Sequence, residues 1–175
     1  MKILRKILIG IVALVALLLI VALFIPKKYT VSVVETINKP KSIVFEYAKN
    51  LKNQEKYSIW VMQDLSSVSY KGTDGTVGFV QSWNSKDDNV GEGEQEIVGM
   101  TDERLDFDLR FKRPFESQQK AALIVKTISE NQTQVVSEFY GSDSYPMNLL
   151  SFIGKGIIKD AQTKNMHNLK EVLEK

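Results

Sequence analysis

Two kinds of apolar spacing divide the chain. From Ile7 to Ile25 the residues are apolar without interruption, about 19 in a row, with no charge among them. Beyond Tyr29, apolar positions return every second or every third to fourth residue, with polar ones between. At ~1.5 Å rise per residue the first run makes a helix of roughly 28 Å, close to the ~30 Å hydrocarbon thickness of a bilayer. Fifteen of its positions are Leu, Ile, Val or Phe, and each favours insertion by ~0.3 to 0.6 kcal/mol. The pattern therefore predicts one membrane crossing over residues 1–28, with residues 29–175 as a tethered domain.

The second region alternates like a mixed α and β protein. Tyr29–Ile37 reads as a strand, and a helix follows from Lys39 to about Asn50, opened by Pro40, whose missing N–H is tolerated in a first turn. A short helix or turn is expected over Gln54–Tyr57. Strands are expected at Leu65–Tyr70, Val77–Trp83, Gly91–Met100, Arg104–Phe111, Gln119–Ser129 and Thr133–Tyr140, separated by turn residues such as Lys71-Gly72-Thr73-Asp74-Gly75. The clearest alternation sets Leu105, Phe107, Leu109 and Phe111 against Asp106, Asp108 and Arg110, as in an antiparallel sheet with one solvated face. From about Tyr145 to Glu174 the spacing is helical, with Leu149, Ile153, Ile157, Ala161, Leu169 and Leu173 expected along one side. About seven strands at ~4.8 Å make a sheet roughly 30 Å wide, whereas a helix is only ~10–12 Å across. The sheet must curl around the last helix, and that geometry leaves an apolar space of the kind small ligands occupy.

The order and spacing of several short strings resemble the START-related, Bet v 1-like (SRPBCC) superfamily, in particular its polyketide cyclase/dehydrase-like proteins. They are Thr36-Ile37-Asn38-Lys39-Pro40 with Val44-Phe45, then Tyr57-Ser58-Ile59-Trp60, Gly75-Thr76-Val77-Gly78 before an aromatic strand ending at Trp83, and Gly91-Glu92-Gly93 leading to Ile97. Glu103-Arg104-Leu105-Asp106-Phe107 and Asn168-Leu169-Lys170-Glu171-Val172 complete the set. The resemblance implies an α+β helix-grip fold: a curved antiparallel sheet wrapped on a long C-terminal helix around a hydrophobic cavity. Across that superfamily the cavity holds lipids, sterols, hormones or polyketides, and only sometimes supports catalysis. The N-terminal anchor is an addition to the family's usual soluble domain.

Charge and chemistry narrow the function classes. With 23 basic against 21 acidic residues, the chain has no field suited to nucleic acid, and no nucleic-acid partner is expected. Lys2, Arg5 and Lys6 outnumber Lys27 and Lys28 across the apolar run, which favours a cytoplasmic N-terminus and an extracytoplasmic domain. A secretory signal peptide is the competing reading, but signal cores run ~7–15 residues and end at a small-residue cleavage site. Here Leu23-Phe24-Ile25-Pro26-Lys27-Lys28 follows instead, and there is no cysteine to carry a lipid.

His167 is the only histidine, so multi-histidine metal sites and Cys–His pairs are excluded within one chain. No metal or cofactor is expected. Glu92, Glu94 and Glu96 share one side of a strand, and Asp106 and Asp108 share one side of the next. Paired carboxylates can do acid–base work in a low-dielectric site, yet Asp106 and Asp108 lie opposite Phe107 and Leu109, on the face expected to meet water. Asp87-Asp88-Asn89 lacks EF-hand spacing, and Gly72, Gly75 and Gly78 have no Lys-Ser/Thr after them to make a phosphate loop. Arg110, Lys112 and Arg113 could meet an anionic headgroup or simply water.

The candidate ligand-binding residues are therefore aromatic and aliphatic: Trp60, Phe79, Trp83, Phe107, Phe111 and Phe115 from the sheet side, and Leu149, Ile153 and Ile157 from the last helix. Asn165 interrupts the helical ladder and could meet a ligand's polar end. The sequence points to membrane-anchored binding of a hydrophobic small molecule or lipid without catalysis. A cyclase or hydrolase would instead require an inward, desolvated titratable group. An interaction module docking on another membrane protein would show a filled core and an exposed apolar patch.

Overall fold

The computed structural model describes residues 2–175, apart from the side chains at positions 152 and 153. The chain runs α1 (Lys2–Phe24), β1 (Lys28–Ile37), α2 (Lys41–Lys49), a 3-10 helix (Leu51–Lys56), α3 (Ile59–Gln63), a second 3-10 turn (Leu65–Ser67), β2 (Val68–Lys71), β3 (Val80–Asn84), β4 (Glu92–Met100), β5 (Arg104–Arg113), β6 (Ser117–Ser129), β7 (Gln132–Ser142) and α4 (Asn148–Glu174). The seven strands form one antiparallel sheet in the order β1-β7-β6-β5-β4-β3-β2.

Beyond Lys6, helix α1 is apolar on every face, and it is long enough to cross a membrane. Its side chains are exposed except that of Ala22, so the helix buries almost none of its apolar surface within the protein. Its last turn is tied to the start of α4. Asn148, fully buried, donates from Nδ2 to the carbonyl oxygens of Ala22 (2.7 Å) and Ile25 (2.8 Å), two of the groups a helix end leaves unpaired. Three residues after Ile25, Lys28 pairs with Ser142 at the sheet edge.

Register places one end of every strand at that same edge: Lys28, Ser142, Ser117, Arg113, Glu92, Asn84 and Val68. At the opposite end the concave face is packed solid. There Ile37, Val44, Leu51, Phe79, Ile97, Leu105, Val125, Val135 and Leu169 are each at most 1% exposed and form one core with α2 and the C-terminal half of α4. The outer face of the sheet is polar and paired. Arg110 reaches Glu94 (2.5 Å) and Glu96 (2.6 Å), Arg104 reaches Asp106 (2.8 Å), and Lys120 reaches Asp108 (3.5 Å).

Several expected elements shift. The strand expected from Leu65 begins at Val68, because Asp64 accepts from the Ser66 hydroxyl and its carbonyl holds Ser67 in a tight turn. The strand expected from Val77 begins at Val80, after a turn closed by Gly75 (φ 74°) and Gly78 (φ 88°). The fourfold ladder of α4 does not keep to one side. Each four-residue step overshoots a full turn by about 40°, so the ladder winds around the helix. Ile157 is 62% exposed, whereas Ala161 and Leu169 are buried. The buried stripe instead follows Ser151, Ala161, Gln162, Met166 and Leu169, close to the true helical period.

Candidate functional site

The half of the concave face nearest α1 is open. Between it and α4 lies a hollow of about 790 Å³, within the range of small-molecule sites. Strict alternation builds its sheet wall. In β3, Gln81 and Trp83 face inward; in β5, Phe107, Leu109 and Phe111 do so, and in β6 Ser117, Gln119 and Ala121 are their registered partners. Trp83 packs edge-on against Phe111 at 5.9 Å. Its cross-strand partner is Gly93, where a Cβ would come within 2.6 Å of the indole. A glycine there lets the ring lie against the sheet. Helix α4 supplies Leu150, Ser151, Gly154, Ile158, Gln162, Asn165 and Met166, and the segment from Gln54 to Val61 forms a lid.

That lid is pinned to α4 through its backbone. Asn165 Oδ1 accepts from the Ile59 amide (2.8 Å), and Asn168 Nδ2 donates to the Tyr57 carbonyl (3.0 Å). Asn165 lines the hollow, but its carbonyl oxygen is engaged in positioning α3. Beneath the lid, three amides form a chain: Gln95 Nε2 donates to Gln54 Oε1 (2.7 Å) and to Gln81 Oε1. Burial pushes the Tyr57 hydroxyl well above the ordinary tyrosine range. At the mouth, burial and then the neighbouring Asp143 carboxylate raise Tyr29 to about 12. Both are neutral hydroxyls at physiological pH.

Four charged side chains line the hollow: Asp64, Arg113, Glu116 and Asp143. All stand at the edge nearest α1. Asp64 accepts from the hydroxyls of Ser66 (2.6 Å) and Ser85 (2.7 Å), which hold its carboxyl below the usual range. Arg113 is satisfied by Asn84 (2.8 Å), the Ser85 carbonyl (2.8 Å) and Glu92 (3.3 Å). Around them stand exposed apolar side chains, among them Phe115 (62%), Leu150 (48%) and Met147 (45%), from separate stretches of chain. The mouth therefore opens on the side where α1 enters.

Of the residues singled out in the sequence, Trp60, Trp83, Phe107, Phe111, Phe115 and Asn165 line this hollow. Phe79 does not; it is 1% exposed in the packed core and stacks on Tyr70 at 5.9 Å. Leu149 is half-buried off the hollow, Ile157 faces solvent, and the Ile153 side chain lies outside the described residues. His167 is exposed beside Glu171 at 3.5 Å. Among the described residues, no three His, Cys, Asp or Glu side chains gather as metal ligands. Among the wall residues sequence reasoning passed over are Gln54, Gln81, Gln95 and Gln162. The inward parity of β3 carried a signal for Gln81, since it sits two residues from both Phe79 and Trp83.

No family model matches the chain, and no curated protein sequence does. Solved structures do. A Thermobifida fusca protein determined by solution NMR is similar with a TM-score of 0.62 at 14% identity, over 82% of this chain and 92% of its own. A Mesorhizobium loti protein is similar at 0.61 and 15% identity, over 83% of this chain and 97% of its own. The fold is a helix grip. Ara h 8.0201 shares it, with a TM-score of 0.59 at 8% identity over 83% of this chain and 97% of that one. At these identities the likeness is one of fold alone.

Proposed function

We propose that this chain is a membrane-anchored member of the Bet v 1-like superfamily, of the polyketide cyclase/dehydrase-like kind, that holds a hydrophobic small molecule or lipid without transforming it. In this reading residues 1–28 cross the bilayer once with the N-terminus in the cytoplasm, and residues 29–175 carry the ligand outside. The observation that carries it is the hollow of about 790 Å³, walled by Trp60, Trp83, Phe107, Phe111 and Phe139. Such a space binds apolar matter because filling it removes apolar surface from water at ~25 cal/mol per Å². Its mouth lies at the edge where α1 joins the sheet, which raises the local supply of a bilayer-borne ligand.

The carboxylates considered for acid–base chemistry favour binding over catalysis by their placement. Glu94 and Glu96 stand on the outer face with Arg110, and Asp106 and Asp108 stand there with Arg104 and Lys120. The test is native mass spectrometry of the full chain extracted gently from membranes. Retained apolar adducts are expected; protein that stays empty across a screen of lipids and lipophilic small molecules overturns the reading.

A further inference from the structure

The hollow's interior carries dipoles but no charge, and two of those dipoles lack partners. Gln162, on α4, is 7% exposed, lines the hollow, and its Oε1 is fully buried with no hydrogen bond. Gln81, on the facing wall, is 1% exposed, and its Nε2 is likewise buried and unpaired. The Tyr70 hydroxyl lies near Gln81 but is committed to Glu55 at 2.5 Å and forms no well-shaped bond with that nitrogen. Reversing amide orientations does not remove the vacancy. Turning Gln81 forces Gln95 and Gln54 to turn with it, and a buried unpaired amide atom still remains at Gln81. Leaving such a group unsatisfied is costly, and a ligand that satisfies it recovers that cost.

The four charged side chains of the lining lie at the mouth, three of them paired or hydrogen-bonded. A carboxylate or ammonium carried inward would shed its water and meet no counter-charge. Building on the binding reading above, we propose that the hollow selects an amphiphile whose inner end is an uncharged hydrogen-bonding group, such as a hydroxyl, ester or amide, received by Gln162 and Gln81. A hydroxyl suits both, because it donates and accepts.

The experiment uses the full chain in nanodiscs, with empty nanodiscs subtracted, and tritiated tracers of one chain length. These are hexadecanol, hexadecane, hexadecyl sulfonate and hexadecyltrimethylammonium, the last two permanently charged. Hexadecanol is expected to bind at least roughly tenfold more tightly than either ion and more tightly than hexadecane. Gln162→Leu and, separately, Gln162→Met should each weaken hexadecanol by roughly tenfold and leave hexadecane unchanged. Gln81→Leu should act in the same sense. An ion that binds as well as the alcohol, or an alcohol no better than the hydrocarbon, overturns the inference while leaving apolar binding intact. Retention of no tracer at all overturns the binding reading itself.

Discussion

Narrowing the hollow from α4 should stabilise the protein and weaken its binding together. Gly154 lies on the face of α4 toward the hollow, and a Cβ placed there meets nothing within 4 Å. Gly154→Leu removes a glycine from a helix interior, worth ~0.8 kcal/mol. The new side chain enters a space open on one side; about half of the 1.5–3 kcal/mol for full burial is gained, and ~0.5–1 kcal/mol of rotamer freedom is lost. The net is ~1 kcal/mol of stabilisation, or a rise of about 2–4 °C in Tm for a chain of this size. Gly154→Ala keeps the helix term and leaves the hollow open, so it should stabilise by ~0.8 kcal/mol and still bind. Both tryptophans line the hollow, so intrinsic fluorescence reports occupancy as well as unfolding. A leucine variant that melts lower than wild type, or that binds an apolar probe undiminished, refutes the placement of the hollow.

Phe79→Ala should cost about 3–5 kcal/mol, read as a lower urea midpoint, because the ring is fully enclosed. Asn148→Ala leaves the Ile25 carbonyl without its donor and the Ala22 carbonyl with only the Ile25 amide at 3.4 Å, and should cost ~1–3 kcal/mol locally; faster tryptic cleavage at Lys27 and Lys28 in the full chain is the readout, and an unchanged rate rejects it. Asp64 and Glu92 have carboxyls held below their ordinary range, by serine hydroxyls and by Lys112 and Arg113 respectively. Their stabilisation is complete above the unfolded carboxylate values and is lost as pH falls through the depressed folded ones. The urea midpoint should therefore decline between about pH 5 and 3, and Ser85→Ala, which removes one donor to Asp64, should flatten the decline.

The sequence shows the architecture because its strongest signals are local. The unbroken run ending at Ile25 needs no tertiary context to read as a helix, and the alternation from Leu105 to Phe111 assigns the faces of β5 by parity alone. Where spacing was stretched across many turns, it failed. The Leu149-to-Leu173 ladder ignores the drift between four residues and a helical turn, and so it put Ile157 inside. The polar wall was hidden for a different reason: Gln81 and Gln162 read as surface residues in any composition-based view, and while strand parity points Gln81 inward, only the tertiary fold places Gln162 there. Asn165 was singled out as a possible ligand contact, yet its oxygen holds the Ile59 amide, a partner 106 positions away along the chain that no periodicity reveals.

Asn148 makes the join between α1 and the sheet short and stiff, with only Ile25, Pro26 and Lys27 between the helix and β1. In the proposed anchoring, a domain joined this way to its membrane helix has no slack with which to travel. Under the proposed reading, a bilayer-borne ligand reaches it by lateral diffusion, or is handed over by something that comes to the same patch of surface. Encounters are then set by motion in two dimensions, and by how long the mouth faces the lipid it samples.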